Sequence, residues 1–165
     1  MDYFISDFHN MDRNLMLYEH RPFKDVDEMR GTIISNCNRV VTGDDRLFIA
    51  GDIGNSEILN YLNGELIVIV GNHDNYEELK KRFPNIYVSK YPIMVGGVWI
   101  SHEPITFMPP ECPYLNIHGH LHSLIYGSED RTWLGGNRYF NVSVERLNYT
   151  PISMPQIAKE MQYDQ

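Results

Sequence analysis

Apolar and polar positions fall into blocks along this chain, and the blocks have two textures. Up to Pro84 they read as strand, helix, strand, helix, strand, helix. Tyr3 to Ser6, Leu47 to Ala50 and Glu65 to Val70 are short apolar runs, the last one the β-branched pattern of a strand buried on both faces. Asp25 with Glu28 forms a capping pattern that opens a helix with the apolar stripe Val26, Met29, Ile33, Cys37 and Val40, and Gly43 is its expected C-terminal cap. Ser56 is expected to cap a second helix, with Ile58, Leu59 and Leu62 facing inward and Gly64 closing it. Asp74 with Glu77 opens a third, which carries Tyr76, Leu79 and Phe83 on one face and is stopped by Pro84. This alternation predicts an α/β fold with parallel strands and right-handed crossovers.

From Ile86 the texture changes to short strands: Ile86 to Val88, Ile93 to Val95, Val98 to Ser101, Leu115 to Ile117 and Tyr139 to Val144. Thr106 to Pro113 holds three prolines and reads as a loop, and Pro155 to Met161 as a short terminal helix. Asn10 to Phe23 shows no clear period and is expected to be irregular. No repeat or linker interrupts the chain, so residues 1–165 are expected to form a single domain.

What the strands end in is more informative than the strands. The first runs into Asp7-Phe8-His9, the second into Gly51-Asp52 and the third into Gly71-Asn72-His73-Asp74. Later ones run into Ser101-His102 and His118-Gly119-His120-Leu121-His122. Open α/β sheets keep their ligands at the carboxyl ends of strands. Taken singly, each exit is an ordinary turn with a cap or a surface histidine. Together they place six of the seven histidines at strand ends or in the loops leaving them.

Composition narrows the possible partners. The net charge of −8, from 14 basic and 22 acidic residues, lacks the basic footprint that long nucleic acid requires and gives no reason to expect a membrane surface. A small phosphorylated substrate is still compatible, because bound cations can supply the positive charge. The start has no secretory pattern and no apolar run reaches membrane-spanning length. Cys37 and Cys112 follow no metal or disulfide spacing, and a cytoplasmic setting is expected.

The strand-end residues make a mixed nitrogen and oxygen donor set, which suits borderline divalent ions better than Mg or Ca. No cysteine joins it, which argues against a structural zinc knot. Two ions sharing one carboxylate need about three further ligands each. The inventory allows Asp7, His9 and His122 on one ion, Asn72, His102 and His120 on the other, and Asp52 between them.

The order Asp7-x-His9, Gly51-Asp52, Gly71-Asn72-His73-Asp74, Ser101-His102 and Gly119-His120-x-His122 resembles the calcineurin-like metallophosphoesterase superfamily. Arg21-Pro22-Phe23 and Asn141-Val142-Ser143-Val144, with Asn148-Tyr149-Thr150-Pro151, resemble its small single-domain bacterial and phage branch of predicted phosphoesterases. The resemblance implies a four-layer α-β-β-α sandwich of two mixed sheets flanked by helices. It implies the ligand assignment above, for two divalent ions, with Mn favoured over Fe, Zn, Co or Ni. It also implies attack on phosphorus by a metal-bridging hydroxide, with Asp52 and Asn72 in the catalytic centre and His73 assisting the leaving group.

The expected substrate is a small phosphodiester or phosphomonoester, with a nucleotide-type diester slightly favoured. Many relatives follow Gly-Asp with a His or an Asp-Arg pair, where this chain has Ile53-Gly54-Asn55; Glu103 and Asp12 also depart from the branch. Asn55, Arg13, Asn14 and Arg21 are the candidates for gripping substrate. With no room for a cap domain, an open site is expected, in a monomer or small homo-oligomer. The rival readings are a non-catalytic protein-binding scaffold on the same fold and a nuclease component of a larger complex.

Overall fold

The computed structural model describes residues 1–106, 115–124 and 139–163. Most of the proline-rich stretch, with Cys112, and Trp133 lie outside the described residues. Five strands form one sheet: β1 (Asp2–Ile5), β2 (Arg46–Ile49), β3 (Glu65–Ile69), β4 (Tyr87–Ser89) and β9 (Ile152–Ser153). Their order is β4-β3-β2-β1-β9, parallel except for β9. The second sheet has the order β5-β6-β7-β8, from β5 (Ile93–Val95), β6 (Val98–Ile100), β7 (Leu115–His118) and β8 (Tyr139–Asn141). Among the described residues, only β5 in it runs antiparallel to its neighbour. The protein is thus two mixed sheets flanked by helices.

Strand alternation divides the core in two. Ile5, Leu47, Ile49, Leu66 and Val68 face one way, onto Met29, Ile33 and Cys37 of α2 (Val26–Val40) and onto Leu79 of α3 (Tyr76–Arg82). Phe4, Phe48, Ile67 and Ile69 alternate to the other face and pack on Ile100, Ile117, Val142 and Ile157, the last from α4 (Met154–Tyr163). β3 is therefore buried on both faces, as its unbroken apolar run predicts.

Several local expectations need correction. Asn10 to Phe23 is not wholly irregular, because Asp12 accepts from the Leu15 N–H at 3.0 Å and starts the short helix α1 (Arg13–Tyr18). The helix after β2 is a 3₁₀ helix over Ser56–Tyr61, and its cap is Asn55 rather than Ser56. Asn75, not Asp74, caps α3, and α2 ends at Val40 with Val41 as its C-cap, ahead of Gly43. Asp25 caps α2 as expected, accepting from Glu28 N at 2.8 Å, while Glu28 Oε2 accepts from Lys24 N.

The two sheets meet at their strand ends. The Val142 N–H donates to the His118 carbonyl and Ser6 N–H to the Val142 carbonyl, and Ser6 bridges Ser143 in parallel. The chain leaving β8 therefore ties the exit of β7 to the exit of β1, bringing the polar termini of both sheets to one place.

Candidate metal centre

Five of the strand-end residues hold left-handed backbone without being glycine: Asp7 (φ 60°), His9 (φ 44°), Asp52 (φ 54°), His120 (φ 70°) and His122 (φ 49°). Such conformations are uncommon for side-chain-bearing residues and cost on the order of 1–3 kcal/mol each. Their concentration in one small region marks a place where backbone strain serves to aim side chains.

Asp7 is fully buried and its carboxylate is heavily held. The His120 N–H lies 3.1 and 3.0 Å from its two oxygens, and the Ser6 and Ser143 hydroxyls donate to Oδ2. Gly119 makes this possible, since a Cβ there would fall 2.5 Å from Asp7 Oδ2. Asp52 accepts from the His73 N–H at 3.0 Å through Oδ1, leaving Oδ2 3.3 Å from His9 Nε2 and 3.4 Å from His102 Nε2. Burial alone would raise its pKa, but His102 and His9 hold it well below the usual carboxylate range.

The histidine ring nitrogens and the Asn72 amide oxygen converge within hydrogen-bond distance of one another. His102 Nδ1 donates to the Ala50 carbonyl at 2.8 Å, which aims Nε2 into the site. That nitrogen lies 2.9 Å from Asn72 Oδ1 and 3.2 Å from His120 Nδ1, and His120 Nδ1 lies 3.1 Å from the same Asn72 oxygen. Burial opposes protonation of His102, yet Asp52 and Asp7 push it up to about 9. On the other side, Asp7, His9 and His122 each offer a ligand atom, all within 4.8 Å of one another. Among the described residues, His9 Nε2 is buried with no hydrogen-bond partner, an orphan that ordinarily calls for an ion or water. Carboxylate, amide and imidazole ligand atoms converging around a buried, orphaned nitrogen are the chemistry a cation satisfies, so the residues fit divalent metal.

Asp74 braces this arrangement from below. Its carboxylate accepts from Asp52 N at 2.8 Å, Gly71 N at 2.9 Å and Ile53 N at 2.9 Å, tying the exits of β2 and β3 together. The His73 ring is exposed and stands edge-on to His9, with centroids 5.2 Å apart. His118 is buried, with Nδ1 against the Gly119 carbonyl and its ring against Tyr139; burial lowers its pKa to about 4. It belongs to the core beneath the site.

The structure therefore brings Asp7, His9, Asp52, Asn72, His102, His120 and His122 together, with His73 at the rim. The substrate-gripping candidates fare differently. Arg13 and Asn14 lie exposed on α1, and Asn55 uses Oδ1 to cap the 3₁₀ helix. Arg21 is not available to substrate: its side chain is 0% exposed and its guanidinium is bonded to Glu145 and to the Asp7 and Phe8 carbonyls. Glu145 itself was not singled out in the sequence, although it directly follows the Asn141-Val142-Ser143-Val144 signature.

A match over most of the chain settles the family. The profile of the calcineurin-like phosphoesterases covers residues 3–153. The chain belongs to this family. An uncharacterized protein of Methanocaldococcus jannaschii is 35% identical over 166 residues, spanning 95% of this chain and 89% of its own length. A crystal structure of a protein of unknown function from Aquifex aeolicus is similar at a TM-score of 0.72 and 26% identity, covering 97% of this chain and 98% of that one. Membership carries metal-dependent phosphoester hydrolysis as the general activity. Among the described residues, no helix of this calcineurin-like phosphoesterase is long and apolar enough to cross a membrane.

Proposed function

We propose that this chain is a dinuclear metal-dependent phosphoesterase acting on a small phosphorylated substrate. The observation that carries the reading is the convergence of nitrogen and oxygen ligand atoms in two groups flanking Asp52. Asp7, His9 and His122 would hold one ion; Asn72, His102 and His120 would hold the other; Asp52 would serve both. The mixed nitrogen and oxygen set suits Mn or a similar borderline ion. Such ions polarise phosphoryl oxygens and lower the pKa of coordinated water toward neutrality.

The chain's own groups do the rest. His73 is the exposed imidazole at the rim, placed to donate a proton to, or hydrogen-bond, the departing ester oxygen, and its backbone is anchored on Asp52. Asp74 fixes the loop that carries both His73 and Asn72. Beside Asn72 and His102 lies a cleft of about 280 Å³ walled by Val70, Pro92, Lys90 and Glu103. Its volume, just under the usual ~300–1,000 Å³ of small-ligand sites, is enough for one arm of a small ester. Lys90 there is already paired with Glu77 at 3.0 Å and Arg21 is buried, which supports a diester over a doubly charged monoester.

The test is hydrolysis of paired chromogenic phosphate mono- and diesters by purified protein, with Mn(II) added and with metal stripped. The proposal expects metal-dependent turnover, faster on the diester, that falls at least ~100-fold in His73→Ala, the lower range of acid–base contributions. Two bound ions with turnover unaffected by His73→Ala would remove that residue from the mechanism. Protein that binds neither metal nor ester would favour a scaffold on the same fold.

A further inference from the structure

A second layer of charge beneath one half of the site is unaccounted for by phosphoester chemistry alone. Glu145 Oε1 accepts from Arg21 Nη2 at 2.6 Å and Nε at 2.9 Å, and lies 3.0 Å from His122 Nδ1. Both charged partners are deeply buried, with side-chain exposures of 0% for Arg21 and 8% for Glu145. Burying such a pair is expensive unless it does something that a hydrophobic pair would not.

What it does can be read from where the bonds end. Arg21 Nη1 donates to the Phe8 carbonyl and Nη2 to the Asp7 carbonyl, each at 2.7 Å. These carbonyls belong to the left-handed stretch that presents Asp7 and His9. Glu145, acting through Nδ1, selects the His122 tautomer whose Nε2 is bare, and that nitrogen faces Asp7 Oδ1 at 4.0 Å. One guanidinium and one carboxylate thus strap together Asp7, His9 and His122. None of these bonds reaches Asn72, His102 or His120.

We propose that Arg21 and Glu145 are positioning residues for a single ion position, the one served by Asp7, His9 and His122, and that Glu145 sets its affinity independently of the other position. This rests on the two-ion reading above. Carboxylate partners of metal-bound histidines typically govern affinity by about 10–100-fold. The neighbouring Glu19 also lies within ligand reach of His122 and Glu145, so the pair has to be told apart from a separate cation site.

The experiment is Mn(II) titration of metal-stripped protein, read by equilibrium binding and by electron paramagnetic resonance, on wild type, Glu145→Ala, Glu145→Gln and Glu19→Gln. Circular dichroism of each stripped variant checks folding. Wild type should bind two ions and give an exchange-coupled signal. Glu145→Ala should hold one ion at wild-type affinity with an isolated six-line signal, the second weakened about 10–100-fold. Glu145→Gln, which keeps an acceptor for His122 and Arg21, should fall between, and it carries the test if the alanine variant does not fold. Glu19→Gln should match wild type. Equal loss of both ions in the Glu145 variants, or no loss, overturns the proposal. So does a Glu19→Gln effect as large as that of Glu145→Ala. Wild type that binds no Mn(II) overturns the two-ion reading, and the positioning role of Arg21 and Glu145 with it.

Discussion

Asp74→Asn is the sharpest perturbation the site offers, because it changes almost no volume and alters every bond the side chain makes. The carboxylate takes three backbone N–H groups: Asp52 and Gly71 on Oδ2, and Ile53 on Oδ1. With the asparagine oxygen at the Oδ2 position, two bonds survive as neutral ones and the amide nitrogen faces the buried Ile53 N–H. Leaving that donor unpaired costs about 1–3 kcal/mol, and the loss of charge takes roughly 1 kcal/mol from each remaining bond. Burial, together with the nearby Asp52 charge, pushes the Asp74 carboxyl pKa up, so the charge is a net cost in the fold and removing it offsets the weakening of those two bonds. The net expectation is the unpaired donor, about 1–3 kcal/mol, equivalent to a fall in Tm of roughly 3–10 °C for a chain of this size. The assay is thermal and urea denaturation of metal-stripped protein, which keeps ion binding out of the comparison. A variant that melts within about 1 °C of wild type would refute the view that this carboxylate holds the exits of β2 and β3 together.

Other consequences follow from the same packing. Gly119→Ala would set a Cβ 2.5 Å from Asp7 Oδ2, and should cost about 1–3 kcal/mol and weaken Mn(II) binding, both measurable on one preparation. Ile33→Ala, in the fully buried stripe of α2, should lower stability by about 2–5 kcal/mol in urea while leaving the metal stoichiometry unchanged. Burial pushes the Cys37 thiol up to about 12, so in a Cys112→Ser background it should resist thiol reagents at pH 8 until the protein unfolds. Because its folded pKa is raised, the stability it contributes is full below pH 9 and declines toward pH 12, which denaturation at stepped alkaline pH would show.

The strands and most site residues were legible because their signals are local. An apolar run, a small residue and then a carboxylate, amide or imidazole all sit within a few positions, and this pattern recurs at Asp7, Asp52, Asn72, His102 and His120. Helix α1 escaped notice because it is six residues long and buries only Met16, too little to set a period. Asp74 fits an N-cap by spacing, but three donors from neighbouring strand exits compete for it and Asn75 takes the cap. Arg21 reads as a solvated loop residue until the fold brings it to Glu145, 124 residues away. A contact at that separation leaves no periodic trace, and Glu145 carries no local mark of its own.

The proposed dinuclear centre can be tested most directly by anomalous diffraction from crystals equilibrated with Mn(II). Two peaks are predicted roughly 3.5–4 Å apart. One should be coordinated by Asp7, His9 and His122, the other by Asn72, His102 and His120, with Asp52 touching both. A single peak, or Mn(II) bound away from these side chains, would contradict the two-ion site.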